Sequence, residues 1–180
     1  MSEITWLLLT YKVPPEPSAK RIALWRKLKG LGAVYLQNGV CLLPKTHRHV
    51  RQLKVLENDI LGNNGSCVIL ETIALDQTQE DRVVTRFKSD RDDAYEEIVD
   101  KCDDFEADVA KEISASHYTF AELEENEVDY KKLHGWLERI QALDFYGASR
   151  AALAVKRVAH CEVVLDDYAK RVFNAHDENT

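Results

Sequence analysis

The sequence predicts an α+β fold, with short strands and helices alternating in the first half and helices alone in the second. Three observations carry this. Asn38-Gly39 separates two short apolar runs, the strongest local sign of a β-hairpin. On either side of that hairpin lies a helix-length amphipathic stretch, then another strand-like run bordered at one end by proline or glycine. Further on, Tyr95, Cys102 and Val109 stand seven residues apart with Ile98 and Phe105 between them, the spacing of a long packed helix.

The elements follow in order. Residues 4–13, ITWLLLTYKV, are short, apolar and rich in aromatic and β-branched types, so they predict a strand that Pro14-Pro15 stops. A helix from 18 to about 31 comes next, with Ser18 as its expected N-cap or Pro17 in its first turn, and Gly30 and Gly32 as its stop. AVYLQ (33–37) and VCLLP (40–44) form the hairpin. A type I′ turn is expected at Asn38-Gly39, with positive φ at both residues. Thr46 caps a second helix running to about Leu61, and Gly62-Asn63-Asn64-Gly65 ends it before a fourth strand, SCVILETIAL (66–75). This β-α-β-β-α-β order is the ferredoxin-like split βαβ arrangement, with both helices on one face of a four-stranded antiparallel sheet.

Both alternating sets of ITWLLLTYKV are partly apolar, as are both sets of SCVILETIAL. A sheet with one solvated face alternates more cleanly. The helix-free face is therefore expected to be covered, by the second half of the chain or by another subunit. Three helices follow, over about 78–114, 120–143 and 148–174. Their apolar edges include Leu133, Trp136, Leu137, Ile140 and Leu143 in the second, and Ala151, Val155, Val158, Leu165 and Val172 in the third. The boundaries expected are a ferredoxin-like domain over 1–76 and a helical region over 77–180, packed together as one unit. The tail HDENT is expected to fray.

Charge is distributed unevenly. The whole chain carries −7, yet residues 1–55 hold ten Lys or Arg against two Glu, and the window 17–56 holds nine basic residues and no acidic one. Such asymmetry points to a nucleic-acid or other anionic partner, or to mutual packing of the two halves. On the helical wheel, Leu24, Leu28 and Leu31 face inward in the first helix, while Lys20, Arg26 and Lys27 point away. Arg21 borders the apolar stripe beside Trp25, one turn on, in position for a cation–π contact. In the second helix Leu53, Leu56 and Ile60 face inward, and Arg48, Arg51 and Lys54 outward. Both basic faces then lie on one side of the sheet, a surface suited to phosphates. Thr46, His47 and Arg48 at the second helix start form a weaker candidate for an oxyanion. His49 falls on the apolar side and is read as a packing histidine.

Several classes are set aside. No Gly-rich phosphate loop, GxSxG or HExxH occurs, so no enzyme, cofactor or metal is expected. Cys41, Cys67, Cys102 and Cys161 form no CxxC and are read as reduced buried thiols. Glu122, Glu124, Glu125, Glu127 and Asp129 are read as a solvated helix face. His160-Cys161-Glu162 is a weak motif, since helix neighbours point in different directions. No apolar run approaches the length of a membrane span, and Trp6-Leu7-Leu8-Leu9 is too short for a signal-peptide core, so a cytoplasmic protein is expected.

The blocks Trp6-Leu7-Leu8-Leu9-x-Tyr11-x-Val13-Pro14, SAKRIALWRKLKGLGAVYLQNGVCLLP, FAELEENE and LHGWLERIQALDF together resemble the N-terminal domain of the ChrB chromate-resistance regulator family. More distantly, the first 76 residues are similar to the central domain of PaaX-type repressors, and so to the small CRISPR adaptation nucleases. The resemblance implies a transcriptional regulator that binds double-stranded promoter DNA and responds to chromate; a homodimer is expected, with chromate or another oxyanion as a further partner. It implies DNA contact at Lys20, Arg21, Arg26, Lys27 and Lys29, to which the outward-facing Arg48 and Arg51 are added. The alternative is a sensor or adaptor module that does not bind DNA and acts with a separately encoded C-terminal-type domain. The nucleases bind metal through an Asp at the end of the first strand. Tyr11-Lys12 stands there instead, so nuclease activity is expected to be lost.

Overall fold

The computed structural model describes residues 3–178. The elements are β1 (Thr5–Lys12), α1 (Ser18–Gly30), β2 (Val34–Gln37), β3 (Val40–Pro44), α2 (His47–Gly62), β4 (Ser66–Ile73), α3 (Gln77–Ser114), α4 (Phe120–Ala142) and α5 (Ala151–Asp177). The chain divides into two compact units between Asp90 and Arg91, within α3.

In the first unit the sheet order is β2-β3-β1-β4, and every neighbouring pair is antiparallel. This is the ferredoxin-like order the sequence predicts. Leu7 and Leu9 of β1 and Cys41 and Leu43 of β3 turn one face toward α1 and α2. They pack with Leu24, Leu28, Leu53, Leu56 and Ile60 into one core. Burial of such side chains is worth roughly 1.5–3 kcal/mol each, which is what holds the two helices down.

Three local details differ from expectation. Ser18 is the first helical residue of α1 and Pro17 its N-cap, with no side chain capping the end. Pro17 has no N–H to leave unpaired and is suited to a helix start. The hairpin turn is not type I′. Gly39 has φ +73° while Asn38 does not enter positive φ, and the ladder shifts register between Tyr35 and Gln37. The extra residue changes the local twist, so the turn needs only one left-handed position. That position also lies against β1: the Tyr11 N–H donates to the Gly39 carbonyl at 2.8 Å, and a Cβ at Gly39 would stand 2.5 Å from the Tyr11 carbonyl oxygen. Of the two glycines expected to stop α1, Gly30 is still helical and Gly32 alone makes the stop, at φ +86°, with the Ala33 N–H closing on the Leu28 carbonyl at 3.1 Å.

The helix-free face is covered in part. Trp6, Val34 and Leu42 are buried on it, and the opening turns of α3 border it. Arg86 donates to the Tyr35 carbonyl at 2.6 Å, and Glu80 accepts the Ile4 N–H at 3.2 Å. On β4, however, Val68 and Leu70 remain about half exposed.

The second unit has its own core of Tyr95, Ile98, Cys102, Phe105 and Val109 from α3, Leu123, Leu133, Leu137 and Ile140 from α4, and Ala154, Val158, Cys161, Tyr168 and Val172 from α5. The seven-residue stripe of α3 is buried as read from the sequence. The expected α5 stripe holds at Val158 and Val172, with Ala151 and Leu165 partly buried against the core, and fails at one position. Ala154 is buried and Val155 is exposed, because the true seam runs through Ala154, Cys161 and Tyr168. Cys41, Cys102 and Cys161 are buried free thiols and Cys67 a half-buried one. No helix among the described residues is long and apolar enough to cross a membrane.

Candidate nucleic-acid interface

Helix α1 lies on the sheet along Leu24 and Leu28 and has two cationic flanks. At 100° per residue, Arg21, Trp25 and Lys29 recur one turn apart on one flank. They line a groove of about 840 Å³ together with Tyr11 and Lys12 from the end of β1 and Tyr35 from β2. Tyr11 and Tyr35 meet edge to face, ring centres 6.5 Å apart, and their hydroxyls share a hydrogen bond of 2.8 Å. Burial raises both phenol pKa values. The hydrogen bond to Tyr11 adds to the rise at Tyr35. At Tyr11 the hydrogen bond to Tyr35 and the nearby Arg21 guanidinium oppose it. Both rings therefore stay neutral at physiological pH and offer an aromatic wall beside the cations.

The opposite flank carries Lys20 and Lys27, which border a smaller cleft shared with Asp59 and Asn63 at the end of α2. Lys27 Nζ donates to Asp59 Oδ2 at 2.9 Å, tying α1 to α2. Lys29 Nζ likewise reaches Asp90 Oδ2 at 3.3 Å. Two of the seven predicted DNA-contact residues are thus committed to carboxylates. The other five, Lys20, Arg21, Arg26, Arg48 and Arg51, are exposed, and among the described residues none has an ion-pair partner. The cation–π contact expected between Arg21 and Trp25 is not formed among the described residues, and Trp25 stays about half exposed.

At the start of α2, Thr46 is the N-cap, and its hydroxyl accepts the His49 N–H at 3.0 Å. That oxygen is engaged within the helix end. His47 and Arg48 are exposed beside it. His49 is buried, its Nδ1 2.7 Å from the Pro44 carbonyl, the packing role read from the sequence. Among the described residues, no group of three or more His, Cys, Asp or Glu side chains is placed to hold a metal ion. The weak motif in α5 does meet a common partner. His160 Nδ1 lies 2.6 Å from Glu106 Oε1, and the Cys161 thiol 3.8 Å from the same oxygen.

Sequence reasoning found the cations but not the groove. Its aromatic wall comes from Tyr11 and Tyr35, neither of which the sequence marks as part of a binding surface. The available signal was the recurrence Arg21, Trp25, Lys29 at four-residue spacing, together with two tyrosines on neighbouring parts of the sheet.

Fold and surface define a class: a ferredoxin-like α+β unit with a cationic helix layer, followed in the chain by an acidic three-helix unit. Compared with known proteins, residues 21–179 match the family model described as Protein ChrB, N-terminal. The chain belongs to that family, and the block at Trp6–Pro14 precedes the matched segment. A relative from Cupriavidus metallidurans, named Protein ChrB, is 28% identical over 154 residues, covering 84% of this chain and 44% of its own length. The chain thus spans less than half the length of that relative. No solved structure matches the chain.

Proposed function

We propose that this chain is a chromate-resistance-type transcriptional regulator, a cytoplasmic, non-enzymatic protein that binds duplex DNA through the cationic layer of its first unit. Family membership supports a regulator of that class. One observation carries the DNA reading: five exposed cations on α1 and α2 that have no carboxylate partner among the described residues, within a unit of net +4 in a chain of net −7. The second unit holds 11 basic and 22 acidic residues. A phosphate backbone is the polyanion that such a layer neutralises, with counterion release supplying the affinity.

Contacts of this type position a protein on duplex DNA rather than read bases. Arg21, Trp25 and Tyr35 give the groove the mixed cation and aromatic lining that also suits unpaired bases. The working form is a homodimer, and its effector is chromate or a similar oxyanion.

The deciding experiment is fluorescence anisotropy with a labelled duplex across a salt series, using the wild type and an Arg21→Ala, Arg26→Ala double variant. Binding with a steep salt dependence, flattened in the variant, is the expected result. Undetectable binding at low salt removes the DNA reading and favours the adaptor alternative. The same titration with added chromate tests the effector, since the duplex should be released. Sedimentation equilibrium tests the dimer.

A further inference from the structure

The second unit holds a cleft of about 480 Å³ between α3 and α4 that the DNA reading does not use. Phe105 of α3 and Leu133 and Trp136 of α4 supply its apolar surface. A cleft of that size and lining is in the range that encloses small organic ligands.

Asn126 also lines it. This residue is only 9% exposed, and its Nδ2 has no hydrogen-bond partner among the described residues. Buried amides are almost always paired, and a buried N–H without an acceptor is unfavourable relative to one that has found it. Asn126 sits on the same helical face as Leu133 and Trp136, at spacings of seven and ten residues. An oxygen acceptor bound against that face would satisfy the amide.

The charges around the cleft specify the ligand further. Lys101 is paired with Asp104 at 3.1 Å, Lys132 with Asp129 at 2.9 Å, and Asp108 with Lys111 at 2.9 Å. Arg139, one turn beyond Trp136, lines the cleft and has no ion-pair partner among the described residues. One positive charge is therefore uncompensated beside an apolar wall and an orphaned donor. Chromate fits this poorly, because a tetrahedral dianion has no use for the apolar floor that Phe105, Leu133 and Trp136 supply.

We infer that the α3–α4 cleft is a binding site for a small aromatic carboxylate. The ring lies against Trp136, Phe105 and Leu133, a carboxylate oxygen accepts from Asn126 Nδ2, and the negative charge faces Arg139. This site is separate from the cationic layer of the first unit.

The test is NMR titration of the full-length, ¹⁵N-labelled protein with 2-naphthoate and with its uncharged analogue 2-naphthamide. Saturable shifts are expected at the Asn126 side-chain amide and the Trp136 indole. Arg139→Gln should weaken 2-naphthoate about tenfold, the scale of one charge-assisted contact, and leave 2-naphthamide unchanged. Asn126→Leu, which keeps volume and removes the orphaned donor, should weaken both ligands while the protein remains folded by its amide spectrum. Chromate should not compete. The site is overturned if neither ligand gives a saturable shift at millimolar concentration, if Arg139→Gln affects the two ligands equally, or if the Asn126 amide moves with protein concentration alone. That last result would assign the cleft to a second copy of the chain.

Discussion

Lys27 Nζ and Asp59 Oδ2 stand 2.9 Å apart and join the two helices that carry the basic layer. The pair separates residues that the sequence groups together. Lys27 has a carboxylate partner, whereas Arg26, its neighbour in the chain, has none among the described residues. The two should therefore contribute unequally to DNA binding. Each phosphate contact adds about 0.9 to the slope of log affinity against log salt. Arg26→Ala is expected to lower that slope by nearly this amount, and Lys27→Ala by clearly less. Asp59→Asn should increase affinity by freeing the lysine. Exposed pairs of this kind are worth only about 0–1 kcal/mol, so all three variants should stay folded. Anisotropy at four salt concentrations distinguishes them, and equal slopes for the two alanine variants would contradict the assignment.

Gly39 and Gly30 should respond in opposite directions to the same substitution. Gly39 has φ +73°, and a Cβ there would lie 2.5 Å from the Tyr11 carbonyl oxygen. Gly39→Ala is expected to destabilise the first unit by roughly 1–3 kcal/mol, with the backbone clash favouring the upper end. Gly30, the last residue of α1, has nothing within 4 Å of the corresponding position. Gly30→Ala is expected to stabilise by about 0.4–1 kcal/mol through the unfolded state. Urea midpoints measure both, and a neutral Gly39→Ala would mean that the turn is adaptable.

The same turn marks where sequence reading succeeds and where it stops. The hairpin was legible because Asn-Gly between apolar runs has few other uses. Its geometry was not, since the register shift at Tyr35–Gln37 depends on how the strands pair. The long helices were legible from their periodicity. The α5 seam is misleading at Val155, because the wheel favours a valine, whereas the buried residue there is Ala154. The exposed cations of α1 and α2 were legible as a surface. Their partners were not, because Asp59 and Asp90 lie 32 and 61 residues away from Lys27 and Lys29. Asn126 was invisible as a site, standing within a run of acidic residues that reads as a solvated face.

In the second unit, Asp144 is the connection between the end of α4 and the core. Its Oδ2 accepts from the buried Tyr95 hydroxyl at 3.0 Å, and Oδ1 accepts the Ala148 N–H at 2.9 Å. Burial, followed by this hydrogen bond, raises the Tyr95 phenol. Asp144→Ala leaves a buried hydroxyl and a buried amide without their acceptor, at a cost of about 1–3 kcal/mol for each group that stays dry. Tyr95→Phe removes only the donor, while Asp144 keeps Ala148, and should cost about 1 kcal/mol. Thermal unfolding followed by near-UV circular dichroism tests the order. A Tyr95→Phe change as severe as Asp144→Ala would show that the carboxylate does not hold both groups.

Cys41 gives the first unit a pH dependence whose sign can be stated. Burial between the sheet and its helices pushes the thiol from 9.0 up to about 12. The folded state therefore favours the neutral thiol more strongly than the unfolded chain does. That contribution is fully present below pH 9 and declines as pH rises from 9 toward 12, because the unfolded chain can ionise where the folded one resists. For a single group the slope cannot exceed about 1.4 kcal/mol per pH unit. Cys41→Val keeps the packing volume and removes the titration. Tyr11 and Tyr35 remain in both proteins, so their own high-pH effects largely cancel in the comparison. Urea unfolding under reducing conditions at pH 8, 9, 10 and 11 should show the wild type losing stability relative to the variant above pH 9, with a constant difference below it. Parallel curves over the whole range would mean that the thiol is solvated, and the tight packing of β3 against α1 and α2 would be wrong with it.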